Sequence, residues 1–254
     1  MSSSNEPFLR SADLPRSVDG LALFLDVDGT LVDIAPTPDA IVVPPDLPPL
    51  LAALSERTGG GLALITGRDM VAVDAMFAPF RLPVGAIHGT LLRDASGAIV
   101  GDPPHPALPD IRRRLEAFAS DHPSALVEDK GSAVAVHFRL DPALDKAAEA
   151  VVRAAVAEAG EGLSVQPGKM VYEIRPDGAD KGRALTAFMQ EPAFRGRRPV
   201  AVGDDLTDES MFRAARDAGG LAFRVGAAPP GHASAAEVGF EGPEAVRRWL
   251  RALQ

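Results

Sequence analysis

Two aspartates separated by a single residue, Asp26 and Asp28, come directly after the apolar run Leu21–Leu25. A run this short, bounded by a polar turn, predicts a fully buried parallel strand, and ligands of open α/β sheets bind beyond the carboxyl ends of such strands. Two carboxylates turned into one pocket repel each other unless a cation such as Mg²⁺, or a shared proton, relieves them. Beside Mg²⁺, a carboxylate aimed at phosphorus can act as a nucleophile and form an aspartyl phosphate. An acidic turn after a core strand explains the same residues, so this stretch alone leaves both interpretations open.

Three further stretches place reactive side chains at predicted strand ends or helix starts. Thr66-Gly67-Arg68 follows the apolar run Leu62–Ile65, and Lys181 begins a predicted helix. A third apolar run is followed by Gly203-Asp204-Asp205-Leu206-Thr207-Asp208-Glu209. Together with Asp26-Val27-Asp28-Gly29-Thr30, this order of motifs resembles the haloacid-dehalogenase (HAD) superfamily of phosphatases.

Composition excludes several classes of protein. The 254 residues, 46% of them hydrophobic, are enough for a large core with a smaller insert. The absence of cysteine excludes a disulfide framework, thiol catalysis and a thiolate metal site. A net charge of −9 disfavours nonspecific binding to nucleic acids or anionic membranes. No apolar run in the sequence approaches the roughly 20 residues of a membrane span, and the polar N-terminus lacks a signal-peptide stretch. We therefore expect a cytoplasmic protein without nucleic-acid or membrane partners.

The order of predicted strands and helices divides the chain into a core and an insert. Residues 1–18 are predicted as a flexible tail, and residues 19–102 and 176–254 alternate strand and helix as in a doubly wound α/β sheet. Residues 103–175 have the pattern of a smaller α/β unit, with helices on one face of an antiparallel sheet. Because the reactive stretches lie on both sides of this insert, the core is expected to be discontinuous in sequence.

Alternation within the insert gathers polar residues on one face of its predicted sheet. In the stretch 169–175, Lys169 and Glu173 share a face opposite Met170 and Tyr172. The other polar residues assigned to this sheet are Glu128, His137 and Arg139. Such a set of donors and acceptors suits a polyol, although a sheet with its polar face in water explains the same pattern.

The insert also carries a more specific resemblance. The stretches Val127-Glu128-Asp129-Lys130, 134–139 and 168–176 resemble the α/β (C2-type) cap of trehalose-6-phosphate phosphatases, and 203–209 resembles the metal loop of that HAD family. The resemblance implies a Rossmann-like HAD core with an inserted α/β cap. It also implies Mg²⁺-dependent hydrolysis of trehalose 6-phosphate to trehalose and phosphate. This reaction belongs to trehalose biosynthesis, a part of carbohydrate metabolism. A small sugar phosphate is then the partner, and a monomer is expected.

The same resemblance implies a role for each motif. Asp26 is expected to attack phosphorus, and Asp28 to act as general acid and then as general base. Thr66 and Lys181 are expected to hold the transferring oxygens. The expected Mg²⁺ ligands are Asp26, the backbone carbonyl of Asp28 and Asp204. Asp208 is expected at the same metal site, either as a ligand through water or as a residue that orients the ligands. The expected substrate contacts are Gly67, Arg68, Glu128, His137, Arg139, Lys169 and Glu173.

Three alternatives remain open from the sequence. The first is a HAD phosphatase for another sugar phosphate, such as sucrose phosphate, because the substrate depends on the cap. The second is a sugar-phosphate mutase, which would return its phosphoryl group to the sugar and release little free phosphate. The third is a silent sugar-phosphate binding protein, although such a protein would not need the nucleophile Asp26.

Overall fold

The apolar runs of the sequence form the strands of a large mixed sheet in the computed structural model, which describes residues 14–37, 40–101, 103–229 and 231–254. Its first five strands are β1 (Leu21–Leu25), β2 (Leu62–Ile65), β3 (Val84–Ala86), β4 (Leu91–Arg93) and β5 (Ile99–Gly101). The last three are β10 (Arg198–Gly203), β11 (Leu221–Val225) and β12 (Glu237–Phe240). The spatial order is β12-β11-β10-β1-β2-β3-β4-β5, and the strands from β12 to β3 run parallel. The central strand β1 therefore lies between β10 and β2.

Helices cover both faces of this sheet, as the complete burial of β1 and β2 requires. They are α1 (Leu47–Arg57), α2 (Met70–Met76), α5 (Lys181–Phe188), α6 (Glu209–Asp217) and α7 (Pro243–Ala252). On one face, the rings of Phe24 of β1, Phe188 and Phe194 pack together, and the ring centroids of each pair are 5.2–6.2 Å apart. Phe188 thereby fixes α5 against the strands whose ends carry the predicted site, and Met211 and Phe212 of α6 belong to the same buried cluster.

The segment between β5 and α5 forms a smaller sheet of its own. It contains α3 (Leu108–Asp121), β6 (Leu126–Asp129), β7 (Val134–His137), α4 (Asp145–Ala159), β8 (Leu163–Gly168) and β9 (Val171–Pro176). The strands are antiparallel in the order β6-β7-β9-β8. Leu115 and Val152 from the helices pack with Val136 and Ile174 from the strands. The helices therefore share one face of the sheet, and the side chains that alternate with these strand residues lie on the other.

The chain divides into two compact units, which we call the core unit (Met1–Val100 and Asp180–Gln254) and the inserted unit (Gly101–Ala179). The predicted α/β class, with a parallel-rich sheet, is confirmed. Residues 1–13 of the predicted tail, and residue 102 at the predicted end of the first core segment, lie outside the described residues. None of the helices in the described part of the chain is long and apolar enough to cross a membrane.

Three local predictions differ from the structure. Residues 15–18 of the predicted tail are held in place, because Trp249 Nε1 donates to the Pro15 carbonyl and Val18 is 3% exposed. Strand β12 was not predicted, since its short sequence contains a glycine and lacks an apolar run. Lys169 and Met170 do not belong to a strand: they form the β8–β9 turn, where Met170 adopts a φ of 62°.

Candidate active site

Asp26 lies at the carboxyl end of β1, and its position depends on a tight turn. Its side chain is 6% exposed, and Thr30 Oγ1 donates to Asp26 Oδ2 over 3.2 Å. The turn contains Gly29, whose φ is 78° and where a Cβ atom would lie only 2.3 Å from Asp204 Oδ2. Only glycine fits both the left-handed conformation and this close approach. The glycine thus lets Asp204 come up against the Asp26 turn.

Lys181 joins two carboxylates from different parts of the core unit. The Asp180 side chain caps α5 by accepting from Gly182 N and Arg183 N, which places Lys181 in the first turn. Lys181 Nζ donates to Asp26 Oδ1 over 2.7 Å and to Asp208 Oδ1 over 2.6 Å. The Lys181 side chain is 2% exposed, so its ammonium group is bound to these carboxylates with little screening by water.

Burial and charge shift the ionisation of this group of residues in opposite senses. Burial raises the pKa of Asp26 well above its ordinary range; the Lys181 ammonium opposes this shift, and Asp208 and Asp204 add to it. Burial lowers the pKa of Lys181, but the charges of Asp208 and Asp26 outweigh it, and the pKa lies above its ordinary value. Lys181 therefore stays charged, whereas additional positive charge near Asp26 would favour its ionised form.

Three carboxylates converge at this edge of the sheet. Asp208 Oδ2 accepts from the backbone N–H groups of Asp204 and Asp205, each over 2.9 Å, which folds the segment after β10 into a compact turn. Asp205 Oδ1 accepts from Leu206 N and caps the helical turn before α6. One carboxylate oxygen each from Asp26, Asp204 and Asp208 lies within 4.8 Å of the other two. We call these three residues the oxygen cluster.

A second ion pair joins Asp28, two residues after Asp26, to Arg68. Arg68 Nε donates to Asp28 Oδ2 over 2.7 Å, and Arg68 Nη2 donates to Asp28 Oδ1 over 2.8 Å. This bidentate geometry fixes the plane of the Asp28 carboxylate. The Asp28 side chain is 34% exposed, so it remains accessible from solvent. Arg68, predicted to contact the substrate, is thus bound to the predicted acid/base residue.

Thr66 and Gly67 lie at the carboxyl end of β2. Thr66 is 1% exposed, and its Oγ1 accepts from Arg68 N over 3.2 Å. The ring of His88 lies against Gly67, where a Cβ atom would be 2.6 Å from His88 Nε2. His88 N in turn donates to the Thr66 carbonyl over 2.8 Å. These contacts hold the predicted phosphate-binding hydroxyl at the same sheet edge as Asp26.

The inserted unit brings together several of the predicted substrate residues on the face of its sheet opposite the helices. His137 Nε2 lies 2.7 Å from Glu128 Oε2, and Lys130 Nζ donates to Glu173 Oε2. Burial acts to raise the pKa of Glu128, but the His137 hydrogen bond and the Lys130 charge outweigh it and hold the pKa below its ordinary value. Glu173 is 4% exposed. This polar cluster is therefore ordered by its own ion pairs.

Arg139 and Lys169 lie at the end of the same sheet. Arg139 Nη2 donates to the Lys169 carbonyl over 3.1 Å, and Phe138 N donates to the Met170 carbonyl over 3.0 Å. These bonds fix the β8–β9 turn that carries Lys169. The predicted substrate residues of the inserted unit thus fall into two sets, the Glu128–Glu173 cluster and the Arg139–Lys169 turn.

Sequence reasoning missed two contributors to these sites. Thr30, four residues after Asp26, bonds the predicted nucleophile, and Lys130 bonds Glu173. Both had a signal available. Thr30 belongs to the first motif, and Lys130 follows Glu128 at the two-residue period of a strand face.

Comparisons with known proteins agree with this geometry. A sequence profile described as trehalose-phosphatase matches residues 24–239. A protein of Sinorhizobium fredii named probable trehalose-phosphate phosphatase is 44% identical over 248 residues, which cover 98% of this chain and 92% of that protein. The trehalose-6-phosphate phosphatase of Escherichia coli is 40% identical over 206 residues, covering 81% of this chain and 77% of that protein.

The fold gives the same result. The crystal structure of a trehalose-6-phosphate phosphatase related protein superposes with a TM-score of 0.71 and 27% sequence identity, over 91% of this chain and 95% of that one. The predicted Rossmann-like fold of the HAD superfamily is thereby confirmed. The motifs from Asp26 to Asp208 lie inside the matched region. This chain belongs to the trehalose-phosphatase family.

Proposed function

We propose that this protein is a phosphoric monoester hydrolase that converts trehalose 6-phosphate to trehalose and phosphate in trehalose biosynthesis. The single observation that carries the proposal is the buried oxygen cluster with Lys181 at its side. A buried group of carboxylates this close is unfavourable unless it serves a charged ligand. The match of the chain to its relatives over nearly its full length supports the substrate.

The oxygen cluster fits a magnesium ion. Three buried carboxylates face one ammonium group, so the cluster has an excess of negative charge, and its donors are all oxygen atoms, which suit a hard divalent cation. Asp26, Asp204 and Asp208 would hold Mg²⁺ through their carboxylates, and Asp28 through its backbone carbonyl. When bound, Mg²⁺ supplies positive charge beside the phosphoryl oxygens.

The residues of the core unit divide the chemistry between them. Asp26 attacks phosphorus and forms an aspartyl phosphate, while Asp28 protonates the departing sugar oxygen. Asp28 then takes a proton from the water that cleaves the aspartyl phosphate, which releases phosphate and regenerates Asp26. Lys181 and Thr66 bind the transferring oxygens and stabilise their charge. The raised pKa of Asp26 is the reason why this nucleophile depends on nearby cations.

We assign sugar recognition to the inserted unit, which would be the cap of the enzyme, and catalysis to the core unit. Glu128, His137 and Glu173 present carboxylates and an imidazole that can replace the water around a disaccharide. Lys169 and Arg139 supply cations at the β8–β9 turn, and Gly67 and Arg68 complete the predicted contacts from the core unit. A monomeric state and a cytoplasmic location stay predictions.

A substrate panel tests the proposal. Phosphate release is measured from trehalose 6-phosphate, sucrose 6-phosphate, glucose 6-phosphate and an aryl phosphate, with Mg²⁺ and with chelator. Asp26→Asn serves as the control, because it removes the nucleophile at nearly constant volume. We expect a strong Mg²⁺-dependent preference for trehalose 6-phosphate and no turnover by Asp26→Asn.

Each alternative predicts a different result. Activity spread evenly over several sugars would keep the phosphatase but reject the substrate. An isomerised sugar phosphate with little free phosphate would identify a mutase. Binding of the sugar phosphate without any turnover would identify a silent binding protein, and a folded Asp26→Asn variant of near-normal activity would refute the mechanism.

A further inference from the structure

A buried arginine lies behind the oxygen cluster and has no role in the chemistry described above. Arg224 is on β11, beside Gly203 of β10, and is 1% exposed. A guanidinium group always carries its charge in a protein, and burying it is costly unless its donors are satisfied. The groups that Arg224 binds therefore indicate what it is there to hold.

Arg224 connects three segments of the core unit. Its Nη2 donates to the Asp204 carbonyl, and its Nη1 donates to Glu209 Oε1 over 3.1 Å and to the Asp205 carbonyl over 3.4 Å. Glu209 in turn accepts from Ser234 Oγ over 2.6 Å and from Ala235 N over 2.8 Å. One guanidinium group thus ties the turn after β10 to the start of α6 and to the chain before β12.

These bonds reach the backbone of a cluster residue rather than its carboxylate. The bond from Arg224 to the Asp204 carbonyl fixes the peptide plane that follows Asp204, and the bond from Asp204 N to Asp208 Oδ2 fixes the plane before it. Together the two planes set the direction in which the Asp204 side chain leaves the backbone. The tolerance is small, since the carboxylate of Asp204 closely approaches Gly29. A cation site gains affinity when its ligands are held in place before the ion binds.

We propose that Arg224 is a positioning residue for cation binding, which holds the turn Asp204–Asp205 so that the Asp204 carboxylate is ready beside Asp26 and Asp208. The inference rests on the proposed function of the oxygen cluster. It differs from the role of Lys181, because Lys181 neutralises the carboxylates directly, whereas Arg224 sets their geometry from behind.

The chain offers a matched control in Arg93. This residue is 3% exposed on β4 of the same sheet, donates from Nε and Nη2 to the Leu82 carbonyl, and pairs with Asp74. Arg93 is thus also a buried guanidinium group that binds a carbonyl and a carboxylate, but its partners belong to no cluster motif. Its replacement should cost stability without changing the affinity for a cation.

The test measures Mg²⁺ affinity of the full chain by titration calorimetry without substrate, for the wild type, Arg224→Met, Arg224→Lys and Arg93→Met. We expect Arg224→Met to raise the Kd for Mg²⁺ by about tenfold or more, which is the loss of affinity typical when a residue that orients metal ligands is replaced. Arg224→Lys should raise the Kd by less. Arg93→Met should lower Tm but keep the Mg²⁺ Kd of the wild type. Turnover at saturating Mg²⁺ should recover in Arg224→Lys, while the Mg²⁺ concentration at half-maximal rate stays raised.

The outcomes separate this inference from the proposed function. If the wild type itself binds no Mg²⁺, the proposed use of the oxygen cluster fails, and the inference with it. If the wild type binds and folded Arg224→Met binds equally well, the inference alone is refuted. Should Arg224→Met not fold, Arg224→Lys decides, because a folded variant with an unchanged Kd refutes the inference and a weakened Kd supports it.

Discussion

Replacing Lys181 by methionine would show how strongly one ammonium group stabilises the site. Lys181 Nζ lies 2.7 Å from Asp26 Oδ1 and 2.6 Å from Asp208 Oδ1, and the Asp208 side chain is fully buried. Methionine is similar in length but has no charge, so the variant leaves two buried carboxylates without their cation. Removing one partner of a buried ion pair costs about 3–5 kcal/mol.

We therefore expect metal-free Lys181→Met to lose about 4 kcal/mol of unfolding free energy, out of the roughly 5–15 kcal/mol that is typical of native proteins. In a chain of this size, such a loss corresponds to a fall in Tm of about 8–16 °C. Mg²⁺ should reduce the difference in unfolding free energy between Lys181→Met and the wild type. The variant lacks the ammonium group that repels Mg²⁺ and competes with it for Asp26 and Asp208.

Tryptophan fluorescence is a suitable assay for this unfolding. The sequence contains one tryptophan, Trp249, which is 7% exposed and packs against Phe240 in the core unit, with ring centroids 5.4 Å apart. Its signal therefore reports the unit that contains Lys181. Unfolding is followed with EDTA and with Mg²⁺. The control is Arg213→Met, which removes an exposed cation on α6 of the same unit and is expected to change stability by less than about 0.5 kcal/mol.

Two results would refute the reasoning. A loss below about 1 kcal/mol in EDTA would mean that the carboxylates do not depend on the ammonium group, since that is the range of solvent-exposed pairs. A difference from the wild type that is the same in EDTA and in Mg²⁺ would mean that Lys181 and the cation do not act on the same carboxylates.

Further predictions concern the tight turn, the nucleophile and the cap. Gly29→Ala should lose more than about 1 kcal/mol of stability and most of its turnover, because its φ is 78° and its Cβ would meet Asp204; wild-type Tm and kcat would contradict this. Burial raises the pKa of Asp26, so the folded metal-free protein keeps a proton there that the unfolded chain releases. Its unfolding free energy should consequently fall as pH rises from the ordinary aspartate range through the raised pKa, and Asp26→Asn should lack this slope when unfolding is followed in EDTA. Equal pH dependence in both proteins would count against the shift. Glu173→Gln should slow trehalose 6-phosphate turnover about tenfold or more while changing aryl phosphate turnover far less; equal losses would make Glu173 structural.

The parts of the fold that follow from sequence are those with a local cause. Leu21–Leu25 is entirely apolar and is buried over its whole length, so this buried parallel strand was predictable. The proximity of Asp26, Lys181 and Asp208 was also predictable, because each follows a strand or begins a helix at the same edge of the sheet. In a parallel sheet, that position alone brings distant residues together.

The parts that were not predicted depend on partners distant in sequence. Arg68 lies 40 residues from Asp28, and nothing near either residue indicates that one binds the other. Arg224 stands in an apolar strand, and its partners become visible only when the turn after β10 is built. Met170 differs because its cause is local: its neighbours alternate as in a strand, but its positive φ places it in the β8–β9 turn.

The separation of the catalytic residues along the chain has a consequence for how the protein folds during synthesis. Asp26 and Lys181 are 155 residues apart, and β1 pairs with β10 only after the whole inserted unit has left the ribosome. The inserted unit is continuous in sequence, so it can fold first, before β10 is available to pair with β1. Pairing over so long a separation is slow, and it leaves the apolar strand β1 exposed in the meantime. Chaperone dependence of the nascent chain should therefore be greatest before Arg198–Gly203 emerges.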